Sequence, residues 1–207
     1  MQNLKSNFLG WVFRMKFIQR WGLMFCFIKE NVSEHSHEVA VVSHMLAIIK
    51  NLKFGGNVNP DKAATTALYH DVSETISTDL PNPVKYWNED IAREFKKVEH
   101  LAELSIHDSI QDQEIKDALN SYIISKNTDQ EIVDIVKSAD IICAFIFARS
   151  EFKYKRNHEF KDAWKNTRRM IQERQEQFEE VKWFMEVYVD DMATSIDELM
   201  QKGRKFN

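Results

Sequence analysis

The sequence predicts an all-α fold, and three observations carry that prediction. Only five glycines and three prolines punctuate 207 residues, so the turn signals that separate short strands are scarce. Apolar residues recur at steps of three and four, as in Val39, Val42, Leu46 and Ile49, which line one face of a helix. The breaks that do occur carry helix-ending and helix-starting chemistry, Gly55-Gly56 and then Asn59-Pro60.

In chain order, a first amphipathic helix is expected over about residues 3–20, followed by a short apolar segment over 21–28 that ends at Lys29-Glu30. Ser33 reads as an N-cap, which puts His35 in the first turn of a helix that stops before Gly55-Gly56. Asn59 as cap and Pro60 at the first helical position start the next helix, which carries His70, Asp71 and Glu74. Thr78-Asp79-Leu80-Pro81-Asn82-Pro83 cannot stay helical, because its prolines remove donors and hold the chain extended. A Pro-stiffened loop there is a natural rim for a site. A long helix over about 88–109 and a shorter one around 114–124 follow, and Thr128-Asp129-Gln130-Glu131 reads as a capping box for the helix bearing Asp140. In the charged remainder Phe178, Val181, Met185, Tyr188, Met192, Ile196 and Leu199 step by three and four, a face for core packing or dimerisation. No repeat, low-complexity run or domain boundary interrupts residues 1–207, so one domain is expected, its last helices packing on it or at a dimer interface.

Composition narrows the function classes. A net charge of −4 supplies no basic footprint for a polynucleotide, although a local basic pocket for a small anion stays open. Cys26 and Cys143 make a poor disulfide framework, and their apolar surroundings suggest buried, reduced thiols. No targeting signal is visible, and no stretch approaches the roughly 18 apolar residues of a membrane span, so a cytoplasmic protein is expected.

The chemistry is written where polar residues spoil apolar stripes. His35 heads the stripe Val39, Val42, Leu46, Ile49; Asp71 and Glu74 share a face with Ala63 and Ala67, with His70 at its margin; Asp140 interrupts Val133, Val136, Cys143, Ala144 and Phe147. A buried ionised carboxylate must find a cation or shift its pKa by several units. Three helices with the same defect are best explained if the polar groups converge on a divalent metal. A nitrogen and oxygen donor set without thiolate favours Mn, Fe, Co, Ni, Zn or Mg over a structural zinc site. Glu74 beside such a metal suits proton handling, and the combination points to hydrolysis of a phosphate ester. The other histidines are weaker candidates. His37 and His44 turn away from His35 around the helix, while His100, His107 and His158 lack useful partners and read as surface residues. Lys153, Lys155 and Arg156 read as a solvated basic face.

A wider set of residues carries a family likeness: Ile18-Gln19-Arg20-Trp21, Glu30-Asn31-Val32-Ser33-Glu34-His35-Ser36, Phe54-Gly55-Gly56-Asn57-Val58-Asn59, Tyr69-His70-Asp71 with Ser73-Glu74, Asp79-Leu80-Pro81 with Pro83-Val84-Lys85-Tyr86, and Lys137 with Ala139-Asp140. With these motifs in register to about Arg149, and more weakly beyond, the chain resembles the HD-domain phosphohydrolases, in particular their bacterial 5'-deoxynucleotidase branch. The resemblance implies an HD-domain helical bundle, often a homodimer, that uses a divalent cation (Co, Mn, Zn, Ni, Fe, Cu or Mg) to remove phosphate from deoxyribonucleoside 5'-monophosphates. It implies His35, His70, Asp71 and Asp140 as metal ligands, of which His35 and Asp140 also border the substrate. It implies Glu74 acting on the nucleophilic water, Arg20 orienting the phosphate, Trp21 crowding the sugar near its 2' position, and Asp79, Leu80, Pro81 and Asn82 holding sugar and phosphate. Two positions depart from the family pattern: Asn82 stands where a Thr is expected, and Ser125 where an acidic residue is expected, which bears on substrate contacts rather than on the hydrolytic core.

Two other readings share these residues. One keeps the metal core but changes the substrate, as in a nucleotide pyrophosphohydrolase or an alarmone hydrolase; the Arg20-Trp21 pair and the Pro loop suit a small monophosphate better. The other is a non-catalytic helical module with a structural metal, which would need neither Glu74 nor Arg20.

Overall fold

The computed structural model describes residues 5–189 and 195–204. Among them every regular element is helical, and extended pairing is limited to an antiparallel bridge between Gln19 and Asn31. The α-helices are α1 (Phe8–Val12), α2 (Val32–Phe54), α3 (Pro60–Tyr69), α4 (Glu74–Ser77), α5 (Asn82–Lys85), α6 (Glu89–Asp108), α7 (Gln113–Ile123), α8 (Gln130–Arg149), α9 (Lys161–Gln177), α10 (Glu179–Tyr188) and α11 (Ile196–Arg204). The all-α expectation is borne out.

Two helices organise the rest. α2 packs against α3, α8 and α10, and α8 packs against α9. The larger core joins Val39, Leu46 and Ala47 of α2 to Ala63 and Ala67 of α3, Ile135, Ala139 and Ile142 of α8, and Val181 and Phe184 of α10. Burying a side chain such as Leu46 or Ile142 contributes on the order of 2 kcal/mol. A smaller core gathers Phe8, Met15, Val32, Val72, Ile106, Ile110 and Ile123. Val32 belongs to the small core and Val39 to the large one, so His35, midway between them on α2, lies at their junction.

Several boundaries differ from the sequence reading, each for a local reason. The helix expected over 3–20 is replaced by α1, a 3₁₀ turn at Met15–Phe17 and an extended stretch; residues 1–4 lie outside the described residues. Leu9, Phe13 and Phe17 are exposed while Phe8 and Met15 are buried, so no continuous helical face is apolar. The chain instead pairs its backbone across the bridge: Arg20 N–H donates to Glu30 O at 2.9 Å and Val32 N–H to Ile18 O at 3.0 Å. The N-cap of α2 is Asn31 rather than Ser33, in a reciprocal capping box with Glu34. Gly55 closes α2 at φ 69°, and Asn59 with Pro60 opens α3, as expected. α3 ends at Tyr69, so His70 and Asp71 lie in a tight turn before α4 and not within one helix with Glu74. Thr78 at φ 63° stops α4, and the Pro loop ends sooner than expected because Pro83 is accommodated in the first turn of α5. The capping box expected at residues 128–131 does not form: Thr128 Oγ1 donates to Ser121 O, and Asp129 pairs with Lys62 at 2.5 Å.

Other expectations are also corrected. His107 is buried, its Nε2 2.8 Å from Lys116 O, and His100 Nδ1 lies 3.2 Å from Glu103 Oε2. Cys143 is buried, but Cys26 is only half-buried. The carboxy-terminal stripe breaks, because Phe178 occupies the junction between α9 and α10 and Phe184 is buried in place of Met185; Met192 lies outside the described residues. Lys155 is no free surface charge, since it pairs with Glu151 at 2.6 Å.

Glu151, fully buried, matters for the site. Its oxygens accept from the Phe27 and Ile28 N–H groups at 3.1 and 3.3 Å and from Asn157 Nδ2 at 2.9 Å, which ties down the segment between Trp21 and Glu30. Glu151→Ala orphans those donors and should lower the unfolding free energy by about 3 kcal/mol in urea titrations. A loss below about 1 kcal/mol would show that the tether is dispensable.

Candidate metal centre

The start of α2, the end of α3 and the middle of α8 converge at the junction of the two cores. His35, in the first turn and a half of α2, is wholly buried; its Nε2 lies 3.2 Å from Asp140 Oδ1 of α8 and 3.8 Å from Asp71 Oδ2. His70 Nε2 lies 3.1 Å from Asp71 Oδ2, and the two imidazole rings are 5.5 Å apart. One ligand atom from each of His35, His70 and Asp71 falls within 4.8 Å of the others, and Asp140 joins the group through His35.

The donor chemistry fits a divalent cation. His70 Nδ1 lies 2.7 Å from Ala67 O, a carbonyl that can only accept, so Nδ1 carries the proton and Nε2 keeps a lone pair. That Nε2 is buried and has no hydrogen-bond partner, and the same holds for Glu74 Oε2 nearby. Buried polar atoms are rarely left so, and an orphaned imidazole nitrogen beside a second imidazole and two carboxylates matches what a metal site needs.

Electrostatics follow from this crowding. Burial penalises ionised Asp71, but His70 and His35, when protonated in the absence of an ion, outweigh it and hold its carboxyl below the usual range. Asp140 is likewise held down, against burial, by Lys137 at 2.9 Å and by His35. Burial opposes charge on His35 too, yet the carboxylates of Asp140 at 3.2 Å and Glu30 at 3.7 Å push its pKa up to about 9. Glu74 moves the other way: burial first, then the charges of Asp71 and Asp79, push it up to about 10.

Arg20 and Trp21 stand against this cluster. Arg20 Nε donates to Glu30 Oε2 at 3.0 Å and Nη1 to Asp71 Oδ2 at 3.4 Å. Trp21 has a left-handed backbone, φ 59°; its Nε1 donates to Glu30 Oε2 at 3.0 Å, and its ring stacks on Phe147. Asp79 lies near the Trp21 backbone N–H and Arg20, which brings the Pro loop to the same place. Leu80 and Pro81 are half-buried beside it, whereas Asn82 is exposed at the start of α5. Thus Arg20, Trp21, His35, His70, Asp71, Glu74, Asp79 and Asp140 come together, with Asn82 at the periphery. Ser125, in a 3₁₀ turn after α7, has its N–H 3.4 Å from Glu103 Oε2.

Sequence reading gave no role to Glu30 or to Lys137. Glu30 looked like the end of an apolar segment, yet its carboxylate is buried and bonded to Arg20 and Trp21. The available signal was the family likeness, whose matching stretches include both Glu30 and Lys137.

Comparison with known proteins now bears on this geometry. The family model described as "5'-deoxynucleotidase YfbR-like" matches residues 7–192. The chain belongs to this family. It is 42% identical over 195 residues to the 5'-deoxynucleotidase of Vibrio cholerae, covering 94% of this chain and 98% of that one. It is 41% identical over 197 residues to 5'-deoxynucleotidase YfbR of Shigella boydii, covering 95% and 97%. Among solved structures, an HD-domain phosphohydrolase of Listeria innocua aligns with a TM-score of 0.78 at 18% identity over 92% of this chain and 90% of that one. The HD phosphohydrolase DatZ of cyanophage S-2L, bound to dA and one catalytic Zn2+, aligns at 0.58 with 17% identity over 92% and 99%. At those identities the structural matches establish the HD-domain fold alone.

Glu74 gives this site a pH signature. A carboxyl that keeps its proton in the fold up to about 10, against 4.5 ordinarily, binds more protons folded than unfolded, so its contribution erodes stability as pH rises through that window. In chelator-treated protein, Glu74→Gln should therefore stabilise the fold, by more at about pH 8.5 than at about pH 5.5 in thermal melts. An equal effect at both pH values, or a loss at the higher one, contradicts the assignment.

Proposed function

We propose that the chain is a metal-dependent phosphomonoester hydrolase that removes the 5'-phosphate from deoxyribonucleoside 5'-monophosphates. The observation that carries this reading is the His35, His70 and Asp71 cluster with Arg20 and the buried Glu74 beside it, in a chain of this family. The names of the Vibrio and Shigella relatives, matched over nearly the full chain, support the substrate class. The zinc and dA bound by the cyanophage protein of the same fold are consistent with a divalent ion and a deoxynucleoside here.

His35, His70, Asp71 and Asp140 would hold the ion, and its bound form supplies positive charge and a water of lowered pKa. Ala67 O fixes the His70 tautomer, and the Glu30 carboxylate faces Nδ1 of the other imidazole at 3.7 Å. With the ion bound, its charge would offset Asp71 and Asp79, which otherwise keep Glu74 protonated, and the resulting carboxylate would accept the proton of the attacking water. Arg20 spends two of its five N–H donors on Glu30 and Asp71, and the rest of its planar fork holds phosphate oxygens as charge redistributes. Trp21 walls the sugar near its 2' position, where a ribose hydroxyl would be both crowded and desolvated without a partner. Asp79, Leu80, Pro81 and Asn82 border sugar and phosphate.

Free Cys26 and Cys143 fit a reducing compartment such as the cytoplasm, and among the described residues no helix is long and apolar enough to cross a membrane. Exposed Ile196, Leu199 and Met200 on α11 suit the face of a homodimer.

Phosphate release from dAMP, AMP and dATP tests the reading. Release from dAMP alone, abolished by chelator and restored by a divalent ion, is expected; equal turnover of AMP or preference for dATP would replace it with another HD-type hydrolase. Glu74→Gln keeps shape but loses basicity, so kcat for dAMP should fall about 10²–10⁴-fold with metal content intact. Activity within a few-fold of wild type would remove Glu74 from the proton step.

A further inference from the structure

Glu30 is a carboxylate with three clients. Only 6% exposed, it accepts through Oε2 from Arg20 Nε and Trp21 Nε1, both at 3.0 Å, and its Oε1 lies 3.7 Å from His35 Nδ1. We propose that Glu30 is a positioning residue that locks Arg20 and Trp21 into one rigid unit beside His35, and so sets both turnover and the preference for deoxyribose over ribose. The inference rests on the hydrolase reading above and deepens it.

Backbone and side chain reinforce each other here. The Glu30 carbonyl accepts from the Arg20 N–H at 2.9 Å, beside the Gln19–Asn31 bridge, so the residue grips the Arg20-Trp21 segment at two levels. Trp21 is immobilised on three sides. Its edge is held by Glu30, its face stacks on Phe147 with centroids 5.5 Å apart and planes 8° apart, and fully buried Phe160 lies 5.2 Å away at a tilt. A left-handed φ of 59° at a bulky residue is unfavourable and persists only where its surroundings hold it.

The rigidity has a functional meaning. A wall excludes one hydroxyl only if it cannot yield by a fraction of an ångström, and a phosphate fork works only if its donors are fixed before the substrate arrives. Glutamine in place of Glu30 removes the charge that strengthens both bonds to Oε2, and its amide nitrogen would face His35 Nδ1 where the carboxylate presents an oxygen. Aspartate keeps the charge but is one methylene too short to reach all three groups.

The test uses the full chain with Glu30→Gln, assayed at saturating Mn2+, with Trp21 indole N–H exchange followed by NMR and assigned through Trp21→Phe. Expected are a kcat on dAMP lower by about 10–100-fold, a dAMP-to-AMP ratio of kcat/KM lower by about tenfold, and an indole proton that exchanges fast where wild type protects it. A proton as protected as in wild type overturns the proposal, and so does an unchanged ratio. If Glu30→Gln fails to fold, Glu30→Asp, which preserves the pairing with Arg20, is measured in its place against the same outcomes. A wild-type chain inactive on dAMP sinks the hydrolase reading instead, and the exchange rate then decides the clamp by itself.

Discussion

Drawing His35, His70 and the carboxylates of Glu30, Asp71, Glu74, Asp79 and Asp140 into one largely desolvated space concentrates negative charge, and the arrangement depends on how that charge is balanced. Arg20 sits in the middle of the balance, bonded to Glu30 and Asp71 and held charged by Asp140 and Asp79 as well. Lys137 does the same for Asp140 from the rim. Where no cation is close enough, the group keeps its proton, as Glu74 does. Ionised carboxylates at such depth cost several kcal/mol each unless paired, so the site holds its shape only while these partners stay in register.

That requirement explains the least regular part of the fold. A continuous first helix would carry Arg20 away from Asp71; the Gln19–Asn31 bridge turns the chain back and sets Arg20 over the turn after α3. The price is a segment with little core of its own, in which Leu23, Phe25, Phe27 and Ile28 are exposed. Buried Glu151 and Asn157 hold that segment by its backbone, Asn157 Nδ2 donating to Phe25 O at 2.7 Å. Polar groups of the scaffold thus replace apolar packing next to the site.

Much of this was legible in the sequence, for physical reasons that can be named. The long helices were visible because Asn59-Pro60, Gly55 and Asn88 act locally, and the boundaries they set, at the end of α2 and the starts of α3 and α6, appear within a residue or two of expectation, whereas α3 ends early at Tyr69. The convergence of His35, His70, Asp71 and Asp140 was visible because each breaks an apolar stripe, a cost that only convergence offsets. Where the outcome depended on distant partners, local reading failed. The break between Tyr69 and Glu74 follows from burying Val72 while His70 bonds back to Ala67. Thr128 abandoned its cap for Ser121, and Glu30 found Arg20 and Trp21 across a bridge that no periodicity announces. Side chains with two competing hydrogen-bond options are where local propensity is weakest.

The central claim is that one divalent ion lies among His35, His70, Asp71 and Asp140. Anomalous diffraction from crystals grown with Mn2+ measures this most directly. A single strong peak bonded to His70 Nε2 and to His35, Asp71 and Asp140 is the result expected, with Nδ1 of His70 still on Ala67 O. A peak elsewhere, or none among these four residues at saturating Mn2+, would contradict it.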